Sequence, residues 1–362
     1  MDVFLASRRT ISAPTHYVVG NEAGDLDSLA CAVAYAYVYR DEAPWVPVVQ
    51  TRRSDLRLRP ENQLILRHLG IDEAHITCLD DVQNLDRTHH VVLVDHNRAT
   101  GPFVKATIVG VIDHHVDEQL YKDAALRQVY APSDAGSCAS VLTRIVRDHF
   151  LPPALCDLLY SAILLDTIQF DANVGKAQAI DYEARDRLAP HSSWATTTEA
   201  SRHFHAMQVA KNDTSHLTTL EKLRRDYKQF SCDGAEQTTW DVGAASTTEP
   251  LDVFCATSRF WDDMATFAHE QGVHLLMILT SYEHQGTLHR ALLLYAPTSI
   301  ASAPSLAHDL ETMTTHHVAL VSLALPSAPR DGYAVAWTQQ DVRATRKQFV
   351  PAMHEVCARY AA

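Results

Sequence analysis

The sequence of 362 residues contains no Cys-x-x-Cys pair, and its seven cysteines are an odd number. A reduced intracellular chain fits this better than a disulfide framework. No apolar run is long enough to span a bilayer, so no membrane partner is expected. The opening stretch MDVFLASRRTISAPTH sets Arg8 and Arg9 beside Asp2 with no long apolar core, which makes a poor signal peptide. A cytoplasmic address is the expectation. Basic charge is also short: 31 Lys and Arg face 44 Asp and Glu, for a net charge of -13. That balance argues against a nucleic-acid partner. It leaves open a small anionic substrate, because a bound cation inverts the local field. Internal repeats and low-complexity tracts are absent too. The length exceeds what one core usually serves, so two domains are expected.

Present instead are short Val- and Ile-rich runs alternating with helical segments. HYVVG (16–20), VPVVQ (46–50), VVLVD (91–95) and ATIVGVID (106–113) read as strands. SLACAVAYAYV (28–38), NQLILRHLG (62–70) and a segment starting near Gly136 read as helices. Unalternating strands between helices predict an α/β domain with a parallel sheet and helices on both faces. The Pro-, Ser- and Thr-rich break APHSSWATTT suggests a linker over 191–198, separating an N-terminal domain, 1–190, from a smaller mixed α/β domain, 199–362. In that second part a helical stretch should run to about Phe230. LDVFCAT, VHLLMILTS, RALLLYAP, VALVSLALP and GYAVAWT then read as strand-like.

Four acidic and histidine motifs follow the predicted strands or close a helix. GNEAGDLDSLA offers Asn21, Asp25 and Asp27 in a strand-to-helix turn, although one such Asp is an ordinary helix cap. VVLVDHN ends on Asp95, and VIDHHVDE supplies Asp113, His114 and His115. Adjacent histidines at a strand end point to opposite sides, so one can bind metal while the other faces substrate. Asp113 could orient its neighbours, as an outer hydrogen-bonding partner does. Asp166 lies in the apolar run LLYSAILLD, where an unpaired carboxylate is costly. Hard oxygen donors with one or two imidazoles suit Mg²⁺ or Mn²⁺. Two divalent ions about 3.5–4 Å apart would neutralise the carboxylates and activate a bridging water.

This ordered set resembles the DHH phosphoesterase superfamily over essentially the whole chain. It is most similar to the branch holding family II inorganic pyrophosphatases, eukaryotic cytosolic exopolyphosphatases and prune-type proteins. The resemblance implies an N-terminal DHH domain and a C-terminal DHHA2 domain. It implies Asp25, Asp27, Asp95, His114 and Asp166 as metal ligands, with Asp95 bridging both ions. Asn21 and Asp113 are candidates for a metal or supporting role, and His115 would contact the reacting phosphate. LEKLRRDYKQF puts Lys228 on the family's phosphate-binding lysine, with Arg225 a further candidate. VRATRKQFVP puts Arg346 and Lys347 on its Ser-Arg-Lys motif, which starts here with Thr345. GSCAS opens a helix whose free N–H groups, with Ser137, could hold a phosphate.

The pyrophosphatases carry a His where this chain has Asn21; Asn is the form of the exopolyphosphatase and prune-like members. Losing that imidazole should favour Mg²⁺, with Mn²⁺ or Co²⁺ still admissible. The expectation is therefore an exopolyphosphatase, a two-metal phosphoanhydride hydrolase acting on inorganic polyphosphate, and a monomer. The alternatives are an inorganic pyrophosphatase, a prune-like nucleotide phosphodiesterase, or a non-catalytic prune-like binding protein.

Overall fold

The computed structural model describes every residue except 84, 299 and 317. Two compact units divide the chain, Met1–Asp213 and Thr214–Ala362. In the first, α1 (Asp2–Arg9), β1 (His16–Val19), α2 (Leu26–Val38), β2 (Val46–Val49), α3 (Pro60–His68) and β3 (Thr77–Cys78) come first. Next are β4 (His90–Val94), β5 (Thr107–Asp113), β6 (Leu126–Val129), α4 (Cys138–Ile145), α5 (Pro153–Asp166), α6 (Ala179–Leu188) and α7 (Thr197–Asn212). The sheet order is β3-β2-β1-β4-β5-β6, and every pairing is parallel.

The strands are apolar throughout because both faces are buried. Val18, Val92, Val94 and Ile112 join α2, α4, α5 and α7 in the larger core. Tyr17, Val19, Val91 and Leu93 point the other way, into a smaller core with Phe103 of the 3-10 turn Gly101–Lys105. The chain runs outward from β1 through β2 and β3, then returns to β4 on the other side of β1. Ligands bind at such a reversal, beyond the carboxyl ends of the strands.

The expected linker at 191–198 is not the division between the units. Ala200, Phe204 and Met207 of α7 are buried in the first core, so the helix after the Pro/Ser/Thr stretch belongs to the first unit. The break follows α7, after Asp213. Burial of each large apolar side chain contributes roughly 1.5–3 kcal/mol, which outweighs a local composition signal.

The second unit comprises α8 (Thr219–Arg225), β7 (Tyr227–Asp233), β8 (Thr239–Thr247), α9 (Leu251–Phe254), α10 (Phe260–Gln271) and β9 (Leu275–His284). It continues with β10 (Thr287–Ala296), α11 (Ala303–Thr312), β11 (Leu320–Leu323), β12 (Tyr333–Gln339) and α12 (Arg346–Cys357). Its mixed sheet runs β11-β12-β10-β9-β8-β7, with β8 and β9 parallel and the other neighbours antiparallel. Two sequence expectations are corrected here. The helical stretch stops at Arg225, and 227–233 is a strand paired to β8. LDVFCAT is no strand: Pro250 starts a short helix that buries Leu251 and Phe254. Among the described residues no helix is long and apolar enough to cross a membrane.

Candidate metal and phosphate site

Asp95 follows β4 in the left-handed backbone region, φ 63°. An Asp tolerates that conformation better than most residues, and its use here turns the carboxylate back over the sheet edge. Asp95 is buried. Its Oδ2 accepts from Asn21 Nδ2 at 2.7 Å and from Ser28 Oγ at 2.8 Å. Ser28 Oγ also accepts the Asn21 backbone N–H at 2.9 Å. Gly20 permits this close approach: a Cβ there would lie 2.7 Å from the Ser28 Cβ. Asn21 donates to Asp95 through Nδ2 and accepts the Ala23 amide through Oδ1.

Asp25 caps α2, accepting the Ser28 amide at 3.1 Å. Asp27, in the first turn of α2, is buried against the start of α4. It accepts Ser137 Oγ at 3.0 Å, the Cys138 amide at 2.7 Å and the Ala139 amide at 2.8 Å. The phosphate role expected for Ser137 is corrected by this contact. Ser137 is fully buried, and the free N–H groups of that helix start hold the Asp27 carboxylate. The physics is the one expected of a phosphate at a helix N-terminus, with a side-chain anion in its place.

His114 and His115 follow β5. His114 Nε2 stands 3.2 Å from Asp95 Oδ1 and 3.8 Å from Asp27 Oδ2. The expected split of the two histidines to opposite sides is corrected here: the rings lie 4.6 Å apart, His115 Nδ1 is 3.8 Å from Asp95 Oδ1, and Asp113 Oδ1 meets that same Nδ1 at 2.8 Å. Asp113 is fully buried and also accepts the His114 amide at 2.8 Å and Asn97 Nδ2 at 2.5 Å. All these bonds favour the carboxylate, and the His115 contact contributes most after burial to a net depressed pKa. Asp113 thus holds the His115 ring and the His114 backbone, while His114 Nδ1 meets the Ala135 carbonyl at 3.3 Å.

The electrostatics are those of a cation site. Burial, then repulsion from Asp95, pushes Asp27 up to about 7. Burial and the charge of Asp25 raise Asp95 in the same direction. Asp166, at the end of α5, is pushed well above the usual carboxylate range by burial and by Asp27 and Asp25. The carboxylates hold His114 protonated up to about 10 against the opposing effect of burial. Among the described residues the buried Asp166 Oδ2 has no hydrogen-bond partner, and Asp95 Oδ1 faces only the histidine rings, His114 Nε2 at 3.2 Å. Ligand atoms of Asp95, His114 and His115 lie within 4.8 Å of one another. Such hard donors, with oxygens left unpaired, fit divalent metal ions. His115 belongs to this cluster by distance, beyond the substrate contact expected of it.

Sequence reasoning missed Ser28, Asn97 and the α4 amides. Ser28 and Asn97 each sit beside a motif acid, but only the fold shows which atom they serve.

In the second unit, Lys228 is exposed on β7, while Arg225 closes α8 half-buried. Arg346 opens α12 and donates to Asp226 Oδ1 at 2.6 Å and to the Ala244 carbonyl at 3.4 Å. Thr345 caps that helix, its Oγ1 accepting the Lys347 amide at 3.3 Å, and Lys347 itself is exposed.

A parallel sheet with acids and paired histidines gathered at its strand ends fits a phosphoester or phosphoanhydride hydrolase. Residues 15–163 match the DHH family N-terminal domain, and residues 205–356 match the DHHA2 domain. The chain belongs to the DHH family, in the branch that carries a DHHA2 domain. It is 28% identical over 364 residues to exopolyphosphatase PRUNE1 of Mus musculus, covering 96% of this chain and 77% of that protein. Against the manganese-dependent inorganic pyrophosphatase of Methanocaldococcus jannaschii it is 25% identical over 233 residues, 60% of this chain and 68% of that one. In fold it is similar to the crystal structure of a family II inorganic pyrophosphatase from Methanococcus jannaschii. That match has a TM-score of 0.63 at 18% identity and covers 94% of this chain and 99% of the other.

Proposed function

We propose that this protein is an exopolyphosphatase that hydrolyses the terminal phosphoanhydride of inorganic polyphosphate and releases orthophosphate. The observation that carries the reading is Asn21, whose carboxamide is spent on Asp95 at 2.7 Å. The position filled by a metal-binding imidazole in the related pyrophosphatases supports a carboxylate here. Similarity to the mouse exopolyphosphatase along nearly the whole chain supports the same choice.

Asp25, Asp27, Asp95, His114 and Asp166 would hold two divalent ions, Mg²⁺ foremost and Mn²⁺ or Co²⁺ in its place. When bound, such ions neutralise substrate charge and activate water. His115, held by Asp113, donates a hydrogen bond to a phosphate oxygen. Lys228, Arg346 and Lys347 bind the oxygens on which charge accumulates as the anhydride breaks, and electrostatic stabilisation of this kind dominates phosphoryl transfer.

The test is phosphate release from pyrophosphate, triphosphate and long-chain polyphosphate with Mg²⁺, Mn²⁺ or Co²⁺, with Asp95→Ala as control. Fast release from triphosphate or longer chains, slow release from pyrophosphate and a dead variant are expected. Preference for pyrophosphate would establish the second reading, which the manganese-dependent relatives favour.

A further inference from the structure

One edge of the second sheet carries more than Lys228. β8 and β9 end there, β10 starts there, and β12 ends there, at the same edge where β7 begins. A cavity of about 500 Å³ opens at this edge, lined by Arg290, Gln339, Tyr282, His289, Leu325 and Asp252 among others.

Arg290 lies beside Gln339: Ala291 pairs with Thr338, which puts the preceding residue of β10 opposite the next residue of β12. Alternation places both on the sheet face that Leu292 and Trp337 occupy. Lys228 shares that face with Phe230 and Cys232. Three strand spacings separate β7 from β10, and the register sets Lys228 level with Leu294, four residues along β10 from Arg290, so Lys228 and Arg290 stand roughly 20 Å apart. The span between them holds Ser246 and Ser281 on the same face.

Two polar groups of the cavity wall, Arg290 Nε and the Gln339 carboxamide, have no hydrogen-bond partner among the described residues. Arg290 is half-buried, its Nε has no acceptor among the described residues, and burial depresses its pKa. Gln339 is 5% exposed, and among the described residues neither its Oε1 nor its Nε2 has a partner. A desolvated guanidinium without a counter-ion and a carboxamide with both ends free are costly unless something completes them. An anion with several oxygens would complete both.

We infer that this cavity is a distal anion subsite, holding phosphate groups of a polyphosphate chain that lie beyond the reacting end. It rests on the exopolyphosphatase reading for its substrate. Arg290 supplies the charge and Gln339 a hydrogen bond. Asp252 is the opposing charge in the wall and limits how tightly the chain is held. Long chains thereby gain contacts that pyrophosphate cannot reach.

The test is equilibrium binding of long-chain polyphosphate and of triphosphate to the full chain in a chelator, where no hydrolysis occurs. Arg290→Gln should weaken long-chain binding about tenfold, the loss of one charge-assisted contact, and change triphosphate binding little. Arg290→Lys should restore part of the affinity. Asp252→Asn, an exposed substitution that the fold should accept, should tighten long-chain binding only. Unchanged long-chain affinity in both Arg290→Gln and Asp252→Asn would overturn the subsite, as would an equal effect on both ligands. If the wild-type protein releases phosphate from no polyphosphate, the exopolyphosphatase reading fails, while the binding arm still decides the cavity.

Discussion

Asn97 and Asp113 are joined by a 2.5 Å hydrogen bond, and that contact sets the direction in which His115 points. Asn97 Nδ2 also donates to the Val116 carbonyl at 3.0 Å, and its Oδ1 accepts the Glu118 amide at 3.0 Å. One buried carboxamide therefore fixes both the acid behind the histidine and the loop that follows it. Asn97→Ala should lower kcat about 10- to 100-fold, as loss of an outer partner at a metal site does. The KM should move less, because no substrate contact is removed. An unchanged kcat in steady-state kinetics would refute this role.

Metal removal should make stability fall as pH rises. Asp27 is raised to about 7 and His114 to about 10, so the folded metal-free protein binds more protons than the unfolded chain over that range. A raised folded pKa means stability is present at low pH and lost as pH climbs, here from about 4 to 7 for Asp27 and from about 6.5 to 10 for His114. Divalent ions replace those protons. The melting temperature of chelated protein should therefore drop with rising pH, and added Mg²⁺ or Mn²⁺ should raise it most above pH 7. A metal-induced shift of equal size at pH 5 and pH 8 would contradict the site's electrostatics.

His203 should act in the opposite sense. Its ring stacks on Trp194 at 3.5 Å, and its Nε2 meets Ser161 Oγ at 3.0 Å. Burial, and then the nearby His68, lowers its pKa to about 4. The imidazole is neutral when folded but protonates in the unfolded chain below about 6.5, so stability is lost as pH falls from there toward 4. His203→Gln should flatten that limb by up to about 1.4 kcal/mol per pH unit in urea titrations. An unchanged acid limb would show that another group controls it.

Lys228 and Arg346 should separate stability from binding. Lys228 is exposed, so Lys228→Gln should leave stability within about 0.5 kcal/mol while raising KM for polyphosphate. Arg346 bonds Asp226 and the Ala244 carbonyl, so Arg346→Gln should raise KM and also cost about 1 kcal/mol of folding stability. Paired melting curves and kinetics check both statements. Equal melting losses would mean that Lys228 carries a structural role not evident from its exposure.

Adding a phosphate analogue should not protect Ser137 or the first turn of α4 from hydrogen exchange. Those amides already face Asp27. Asp27→Ala should expose them, speeding exchange at Cys138 and Ala139 well before global unfolding. Protection of these two amides by phosphate in the unaltered protein would restore the anion role that the sequence suggested.

Sequence alone determined what local chemistry can fix. Runs such as HVVLV could only be strands buried on both faces, and acids placed just after them had to gather at one sheet edge. The places of Asp25, Asp95, His114 and Asp166 were legible for that reason, because strand ends and a polar residue in an apolar helix are visible without a fold. Tertiary structure decided the pairing. Whether a helix N-terminus holds a phosphate or Asp27 depends on α2 lying beside α4, which no local spacing encodes. The same holds for Asn97 under Asp113 and for α7, whose apolar face joined the first core despite the Pro/Ser/Thr break before it. Likewise 227–233 became a strand because β8 offered it a ladder, although the residues before it form a helix. Propensity acts over a few residues, whereas partners are chosen by burial and hydrogen bonding across the whole chain.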